Sequence, residues 1–148
     1  TRSDGTEITV QGTAVSMGNP HFVTFVEDVE TVPVEAVGRV IETSPLFPER
    51  TNVEFVQVVD ENYVKFRVWE RGSGETWACG TGACAVGSAC VALGKAGRRN
   101  EFLKVEAKGG LLQVRTGEGD LMTLKGPAVT VYEGEIEIPE EILEESLK

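Results

Sequence analysis

The chain has few of the residues that build metal centres and disulfide frameworks. It holds one histidine and three cysteines among 148 residues, and all three cysteines fall between positions 79 and 90. One histidine and no paired cysteine spacing give too few ligands for a metal site, so none is predicted. Cysteines confined to one short segment do not form a disulfide framework, and a reducing compartment, the cytoplasm, is the expected location.

Positive charge is scarce as well. The 14 Lys and Arg are outnumbered by 24 Asp and Glu, which gives a formal net charge of −10. Nucleic acid and anionic membranes are bound through clustered Lys and Arg, so neither is an expected partner. The longest uncharged stretch, residues 76–94, is too rich in Gly, Ser, Thr and Cys to cross a bilayer, and no signal-peptide pattern is present. Chemistry on a small molecule remains open.

What is present fits one domain, since 41% of the residues are hydrophobic and the chain is long enough for a core. Residues 33–43 predict a helix that ends at Ser44-Pro45. Its inner face would carry Val34, Val37, Val40 and Ile41, and its outer face Glu35, Arg39 and Glu42. Alternating and β-branched segments predict strands at residues 7–16, 22–26, 52–59, 63–70, 102–107, 111–116, 121–125 and 128–132.

Residues 83–93 carry no charge and no proline and are full of small side chains, which predicts a buried helix whose first turn follows Cys79. A helix that is apolar all round must be covered on all sides. We therefore expect an α+β domain: a mostly antiparallel or mixed sheet curled around one buried central helix, plus one outer helix.

Cys79 is the main candidate for chemistry. At the start of a helix its thiol feels the positive end of the helix dipole, which favours the thiolate. The free amides of Gly80, Thr81 and Gly82 offer a seat for a carboxylate, which suits a base acting on an amino acid. Cys84 and Cys90 lie inside the helix among Ala, Val and Ser and are expected only to pack.

Two polar residues upstream have less certain roles. A single histidine is more often structural than catalytic, but His21 ends the constrained turn at residues 17–21, and such turns hold side chains at the rim of a site. Asn52 opens a predicted strand, where capping a turn and binding a substrate are equally good interpretations.

Three segments together resemble the diaminopimelate epimerase family. They are Met-Gly-Asn-Pro-His at residues 17–21, Phe-Pro-Glu-Arg-Thr-Asn-Val-Glu-Phe at 47–55, and Glu-Arg-Gly-x-Gly-Glu-Thr-x-Ala-Cys-Gly-Thr-Gly-Ala at 70–83. The resemblance covers about residues 14–134. The Cys-Gly-Thr-Gly element alone is shared with proline racemases and hydroxyproline epimerases, which lack the upstream run.

The resemblance implies interconversion of LL- and meso-diaminopimelate in lysine biosynthesis, without pyridoxal phosphate or another cofactor. Two cysteines on opposite faces of the α-carbon would exchange its proton. Position by position, the resemblance makes Cys79 one of the two cysteines, with Gly80 and Thr81 binding the α-carboxylate and Arg71 the distal carboxylate. It also implies that Asn19, Asn52 and Glu70 contact the substrate and that His21 and Glu70 tune the cysteines. Tyr132 would be a dimer contact.

One part of the family pattern is missing. The second catalytic cysteine of the family lies in an Asn-Gly-x-x-Cys motif, which this sequence lacks. Cys84 cannot replace it, because five residues along one helix rise about 7.5 Å on the same side of the substrate. We therefore expect a C-terminal half that is inactive alone and belongs to a homodimeric enzyme. Residues 1–132 would be the epimerase-like domain, and residues 133–148 an acidic tail belonging with the missing N-terminal half, with Pro139 at the start of a short helix.

Two other functions stay open at this level. One is a racemase of proline or hydroxyproline, against which Arg71 argues, since a monocarboxylate needs no partner for a distal carboxylate. The other is a non-catalytic half-domain used for binding or assembly.

Overall fold

β-Branched and alternating segments form eight strands in the computed structural model, which describes residues 9–139. The strands are β1 (Thr13–Ser16), β2 (Pro20–Phe25), β3 (Asn52–Asp60), β4 (Tyr63–Glu70), β5 (Gly74–Thr76), β6 (Phe102–Ala107), β7 (Gly110–Thr116) and β8 (Met122–Lys125), and the helices are α1 (Val34–Glu42) and α2 (Gly80–Ala92).

The strands form one mixed sheet in the order β1-β2-β3-β4-β6-β7-β8, with β5 paired to β4 beside the main path. The β2–β3 and β4–β6 pairs are parallel, and the others are antiparallel. Parallel neighbours need a crossover, and each of these two pairs is bridged by a segment containing one of the helices. The predicted α+β class, with a curled mixed sheet and two helices, is confirmed.

Helix α2 is the centre around which the sheet curls. It packs against β1, β2, β3, β6, β7 and β8, and the main core forms from its small side chains and residues such as Val56, Phe66, Leu103 and Val114. Small residues allow this close approach: a Cβ added at Gly87 would lie 2.7 Å from Val114 Cγ1. The glycines and alanines of the sequence thus set the distance between helix and sheet.

Helix α1 lies on the opposite face of the sheet, where Val29, Val34, Val53 and Phe55 form a second core cluster. Strand β3 is therefore covered on both faces. The sequence placed Val40 and Glu42 of α1 on the wrong sides: Val40 is 65% exposed, whereas Glu42 is buried. Trp69 Nε1 donates a hydrogen bond to Glu42 Oε2 at 2.7 Å, which explains why this carboxylate can face the sheet.

Several predicted boundaries are wrong. β1 begins at Thr13, so residues 9–12 of the strand predicted at 7–16 are not part of it, and residues 7–8 lie outside the described residues. β5 was not predicted. The strand predicted at residues 128–132 does not form, because no neighbouring strand pairs with it within residues 9–139; Val129 and Val131 are 83% and 89% exposed. Residues 133–139 have no regular structure, and residues 140–148 lie outside the described residues. No helix of residues 9–139 has the length and apolar character needed to cross a bilayer.

Candidate active site

Cys79 is the N-cap of α2, as the sequence predicted. Its backbone is extended, and its Sγ accepts a hydrogen bond from the Gly82 amide at 3.3 Å. The Thr81 hydroxyl lies 3.5 Å from the same sulfur. The residue is 8% exposed, so the thiol lies just below the surface with two donors beside it.

The acidity of Cys79 differs from the sequence-based expectation. Burial raises the pKa of the Cys79 thiol, and the nearby Glu70 and Glu54 carboxylates raise it further, while the hydrogen bonds from Thr81 and Gly82 lower it. The balance is a raised pKa, so the expectation that the helix start favours the thiolate is wrong here. Desolvation outweighs the two hydrogen bonds that the sulfur receives.

The first turn of α2 has free backbone amides that can bind an anion, as the sequence predicted. A helix leaves its first amides without intrahelical acceptors. Among the described residues, the amides of Gly80 and Thr81 have no acceptor, whereas the Gly82 amide is occupied by the Cys79 sulfur. Two of the three predicted amides are therefore free, and both point out of the exposed end of the helix.

Glu70, at the end of β4, acts electrostatically on the Cys79 thiol, in keeping with the prediction that Glu70 comes near it. Gly72 and Gly74 adopt positive φ angles of 79° and 84°, which allows the tight reversal into β5. This reversal brings Thr76 back against β4, where its hydroxyl donates to Glu70 Oε1 at 2.5 Å. Thr76 was not identified from the sequence, and it holds the Glu70 carboxylate in place.

Asn52 ties three segments of the site together. Its Oδ1 accepts from the Arg71 backbone amide and its Nδ2 donates to the Pro20 carbonyl, both at 2.9 Å. The Arg71 guanidinium donates through Nη1 to the Glu49 carbonyl at 2.8 Å. Because both polar atoms of the buried Asn52 side chain already bind backbone groups, this residue positions Arg71 and the end of β4.

His21 lies in β2, not in the turn that the sequence predicted. It is paired with Asn52 in the parallel β2–β3 register and is 1% exposed. Its Nε2 lies 3.2 Å from Asn19 Oδ1, and Asn19 Nδ2 donates to Thr81 Oγ1 at 3.3 Å. The structure thus connects the predicted residues Asn19, His21 and Thr81 with Cys79.

Glu54 is the residue that sequence reasoning missed. Its Oε1 lies 2.6 Å from His21 Nδ1, and it is fully buried. It follows Asn52 by two positions and so shares a face of β3 with it. A signal was present in the sequence: the apolar neighbours Val53, Phe55 and Val56 indicate that Glu54 is buried. A buried carboxylate requires a partner, and the chain has one histidine.

Among the described residues, the remaining candidates, Tyr132, Cys84 and Cys90, make no side-chain hydrogen bond to this cluster. Tyr132 is 85% exposed, outside the strands and helices. Cys90 is fully buried, and burial raises its pKa to about 12. Burial and the neighbouring Cys79 also raise the pKa of Cys84. Within residues 9–139, no group of three His, Cys, Asp or Glu side chains is placed to hold a metal ion.

Comparison with solved structures identifies the structural class of this fold. The crystal structure of a Bacillus anthracis phenazine biosynthesis protein of the PhzF family matches with a TM-score of 0.53 and 21% identity, covering 78% of this chain and 38% of that one. This likeness concerns the fold alone: a sheet curled around a helix, here with a cysteine at the start of that helix.

Sequence comparison identifies the family within that class. Residues 13–137 match the family described as diaminopimelate epimerase, and the chain belongs to this family. Diaminopimelate epimerases of Synechococcus elongatus and Methanococcus maripaludis are each 52% identical to it, over 126 and 127 residues. These alignments cover 85% of this chain but only 44% and 45% of the relatives, so the chain spans less than half of their length.

Proposed function

We propose that the complete protein interconverts LL- and meso-diaminopimelate without a cofactor, and that Cys79 is one of its two acid/base groups. The observation that carries the proposal is a buried cysteine capping a helix beside two free amides in a chain of this family. The reaction is the removal of the α-proton from one face and its replacement from the other. Both thiols must stay reduced, which suits a cytoplasmic location. The proposed substrate places the reaction in lysine biosynthesis.

Cys79 supplies a proton first in this proposal. A raised pKa keeps the thiol protonated, which is the form required of the acid. The amides of Gly80 and Thr81 bind the α-carboxylate and stabilise the negative charge that develops when the α-proton leaves. The hydrogen bonds from Thr81 and Gly82 stabilise the Cys79 thiolate after it has given up its proton. The thiolate then acts as the base in the reverse direction.

The other end of the substrate lies toward Arg71. Its guanidinium is suited to bidentate binding of the distal carboxylate, which a substrate such as proline lacks. Asn52 contributes by holding the Arg71 backbone. Asn19 and Glu70 are proposed as direct contacts of the substrate. This arrangement favours a dicarboxylate over the monocarboxylates of the related racemases.

The second cysteine comes from outside the 148 residues. Cys84 follows Cys79 by five positions on the same helix, about 7.5 Å along its axis, and cannot reach the opposite face of the α-carbon. A further half of the enzyme, related to the part of the curated relatives that this chain does not cover, would carry it. Residues 133–148 would pack on that half, and exposed Tyr132 would lie in the contact between two complete copies.

A chimera tests the proposed function. The segment of the Synechococcus elongatus diaminopimelate epimerase that aligns with residues 13–137 is replaced by those residues, and LL-diaminopimelate is supplied in heavy water. We expect meso product with deuterium at the inverted carbon, measured by chiral chromatography and mass spectrometry. Cys79→Ser in the chimera should lower the rate at least about a hundredfold, since a general acid/base group is lost.

Cys84→Ser is the matched control, because it changes a cysteine of the same helix that has no role in the proposal. This variant should keep at least half of the chimera's rate. A folded chimera without α-proton exchange would contradict the proposed activity and favour a non-catalytic half-domain. Equal losses in the two serine variants would contradict the assignment of Cys79.

A further inference from the structure

Glu54 and His21 form a fully buried pair that the proposed mechanism does not use. Glu54 Oε1 and His21 Nδ1 are 2.6 Å apart, and both side chains are 0% exposed. The second carboxyl oxygen, Oε2, has no hydrogen-bond partner among the described residues. The pair lies against the catalytic helix: a Cβ at Gly82 would be 2.9 Å from Glu54 Oε1 and 3.2 Å from Cys79 Sγ.

Burial limits the charge that this pair can carry. An isolated negative charge in such a place is costly, and Glu70, the other charged group acting on Glu54, is also acidic. Burial raises the pKa of the Glu54 carboxyl, in keeping with this cost. If the proton of a neutral Glu54 lay on Oε2, with Nδ1–H donating to Oε1, that buried O–H would have no acceptor among the described residues. The neutral pair is therefore either a protonated Glu54 donating from Oε1 to Nδ1 or a carboxylate with an imidazolium. Both forms carry a hydrogen on His21 Nε2.

The hydrogen on Nε2 sets the direction of the bonds that follow. Nε2 donates to Asn19 Oδ1 at 3.2 Å, which leaves Asn19 Nδ2 to donate to Thr81 Oγ1 at 3.3 Å. The Thr81 oxygen accepts that bond, and its own hydrogen is available to the Cys79 sulfur at 3.5 Å. Each donor in this series of hydrogen bonds points toward the Cys79 sulfur.

We infer that Glu54 is a positioning residue: by sharing a proton with His21, it directs a chain of hydrogen bonds through Asn19 and Thr81 onto the sulfur of Cys79. The reversed arrangement has an ionised Glu54, a hydrogen only on Nδ1 and a bare Nε2. It would turn the Asn19 amide and draw the Thr81 hydroxyl away from the sulfur. The catalytic meaning of the inference rests on the proposed function, but the geometry does not.

The state of His21 can be read directly, since it is the only histidine in the chain. In the unaltered chain labelled with ¹⁵N, long-range proton–nitrogen correlation spectra report which ring nitrogen carries hydrogen. We expect a protonated Nε2 at pH 7. A neutral ring with hydrogen on Nδ1 and a bare Nε2 would overturn the inference, and no substitution that endangers folding is involved.

Thiol reactivity tests the connection to Cys79. Glu54→Gln and Glu54→Leu remove the same ionisable group, but only glutamine can donate to His21 Nδ1. At pH 8 we expect iodoacetamide to alkylate Cys79 about fivefold more slowly in the leucine variant than in the glutamine variant, the value of one hydrogen bond. Adding Thr81→Val should abolish that difference, because the last link to the sulfur is gone.

Two controls make this comparison decisive. Fully buried Cys90 reports folding, since it stays unmodified only in a folded chain. Glu106→Gln changes a partly buried carboxylate bonded to Tyr63 and should leave Cys79 at the unaltered rate. Glu106 pairs with Lys65, five residues or about 17 Å along β4 from Glu70. Equal rates in folded leucine and glutamine variants, or a difference that persists beside Thr81→Val, would overturn the inference.

These measurements are independent of turnover. A reversed His21 tautomer would end the inference and leave the proposed epimerisation intact. An inactive chimera would end the proposed function and leave the hydrogen-bond chain intact.

Discussion

Three cysteines within twelve positions have different surroundings because each lies at a different depth. Cys79 caps the helix just below the surface, Cys84 is half-buried one turn further, and Cys90 is fully enclosed. Burial raises the pKa of all three, but only Cys79 receives hydrogen bonds that oppose it. Position at the helix start, rather than residue type, therefore makes Cys79 the reactive candidate.

Glu42 is a residue whose charge contributes to stability. Hydrogen bonds from Trp69 and the Gly72 amide, with the nearby Arg50 guanidinium, hold the pKa of Glu42 below its usual value. We expect Glu42→Gln to lower the free energy of unfolding by about 1–2 kcal/mol at pH 7, since it loses charge-assisted hydrogen bonds. Urea unfolding followed by fluorescence measures this change.

The difference in stability between the unaltered chain and Glu42→Gln should depend on pH. A carboxyl with a lowered folded-state pKa stabilises fully above its unfolded pKa, near 4.5, and loses this contribution as pH falls through the folded value. The gap between the unaltered chain and Glu42→Gln should therefore close below about pH 4.5. Exposed Glu27→Gln serves as the control and should change stability by less than about 0.5 kcal/mol. A gap that stays constant down to pH 3 would contradict this account.

At the scale of elements, glycine positions in the central helix control its distance from the sheet. Alanine is a better helix former than glycine by about 1 kcal/mol. At Gly87, however, an added Cβ would lie 2.7 Å from Val114 Cγ1. We expect Gly87→Ala to destabilise the chain by about 1–3 kcal/mol, because overpacking exceeds the gain in helix propensity. Thermal and urea unfolding measure the sign.

A second substitution identifies the cause. Val114→Ala removes the Cγ1 methyl that the new Cβ would meet at 2.7 Å and keeps only Cβ at 3.2 Å, so Gly87→Ala should cost less in that background than alone. Ser88→Ala, next to it on a less buried part of α2, should be neutral or slightly stabilising. If Gly87→Ala were stabilising by itself, the close packing of α2 against β7 would not be the reason for the glycine.

At the scale of the whole molecule, we propose that the chain supplies one side of an active site. Its two core clusters lie on opposite faces of the sheet, and each includes residues of one helix. We therefore expect residues 9–139 to fold without the other half of the enzyme. With one eligible thiol, the chain alone should neither invert diaminopimelate nor exchange its α-proton. Incubation in heavy water, followed by mass spectrometry and chiral chromatography, measures both.

The comparison for this prediction is the active chimera under the same conditions. Deuteration with inversion by the 148-residue chain at a rate comparable to the chimera would contradict the two-cysteine proposal. Deuteration without inversion would indicate that Cys79 alone removes and returns the proton from one face.

Local patterns predicted most of the elements correctly. The β3–β4 hairpin, β6 and the central helix follow from alternation, turn residues and an uncharged run, all of which act over a few neighbouring positions. The strand predicted at residues 128–132 failed because strand formation also needs a partner strand. Glu42 and Val40 were misplaced because helical spacing does not reveal that Trp69 offers a hydrogen-bond donor.

The sequence by itself determined the family, the α+β class and the candidate cysteine, because motifs and periodicity are written in consecutive residues. Only the tertiary structure decided the chemistry around the sulfur. The parallel pairing of β2 with β3 brings Glu54 against His21 in the interior, where burial raises the pKa of the Glu54 carboxyl. Desolvation raises the pKa of Cys79, a balance that depends on distant segments meeting in space and not on the residues beside it in the chain.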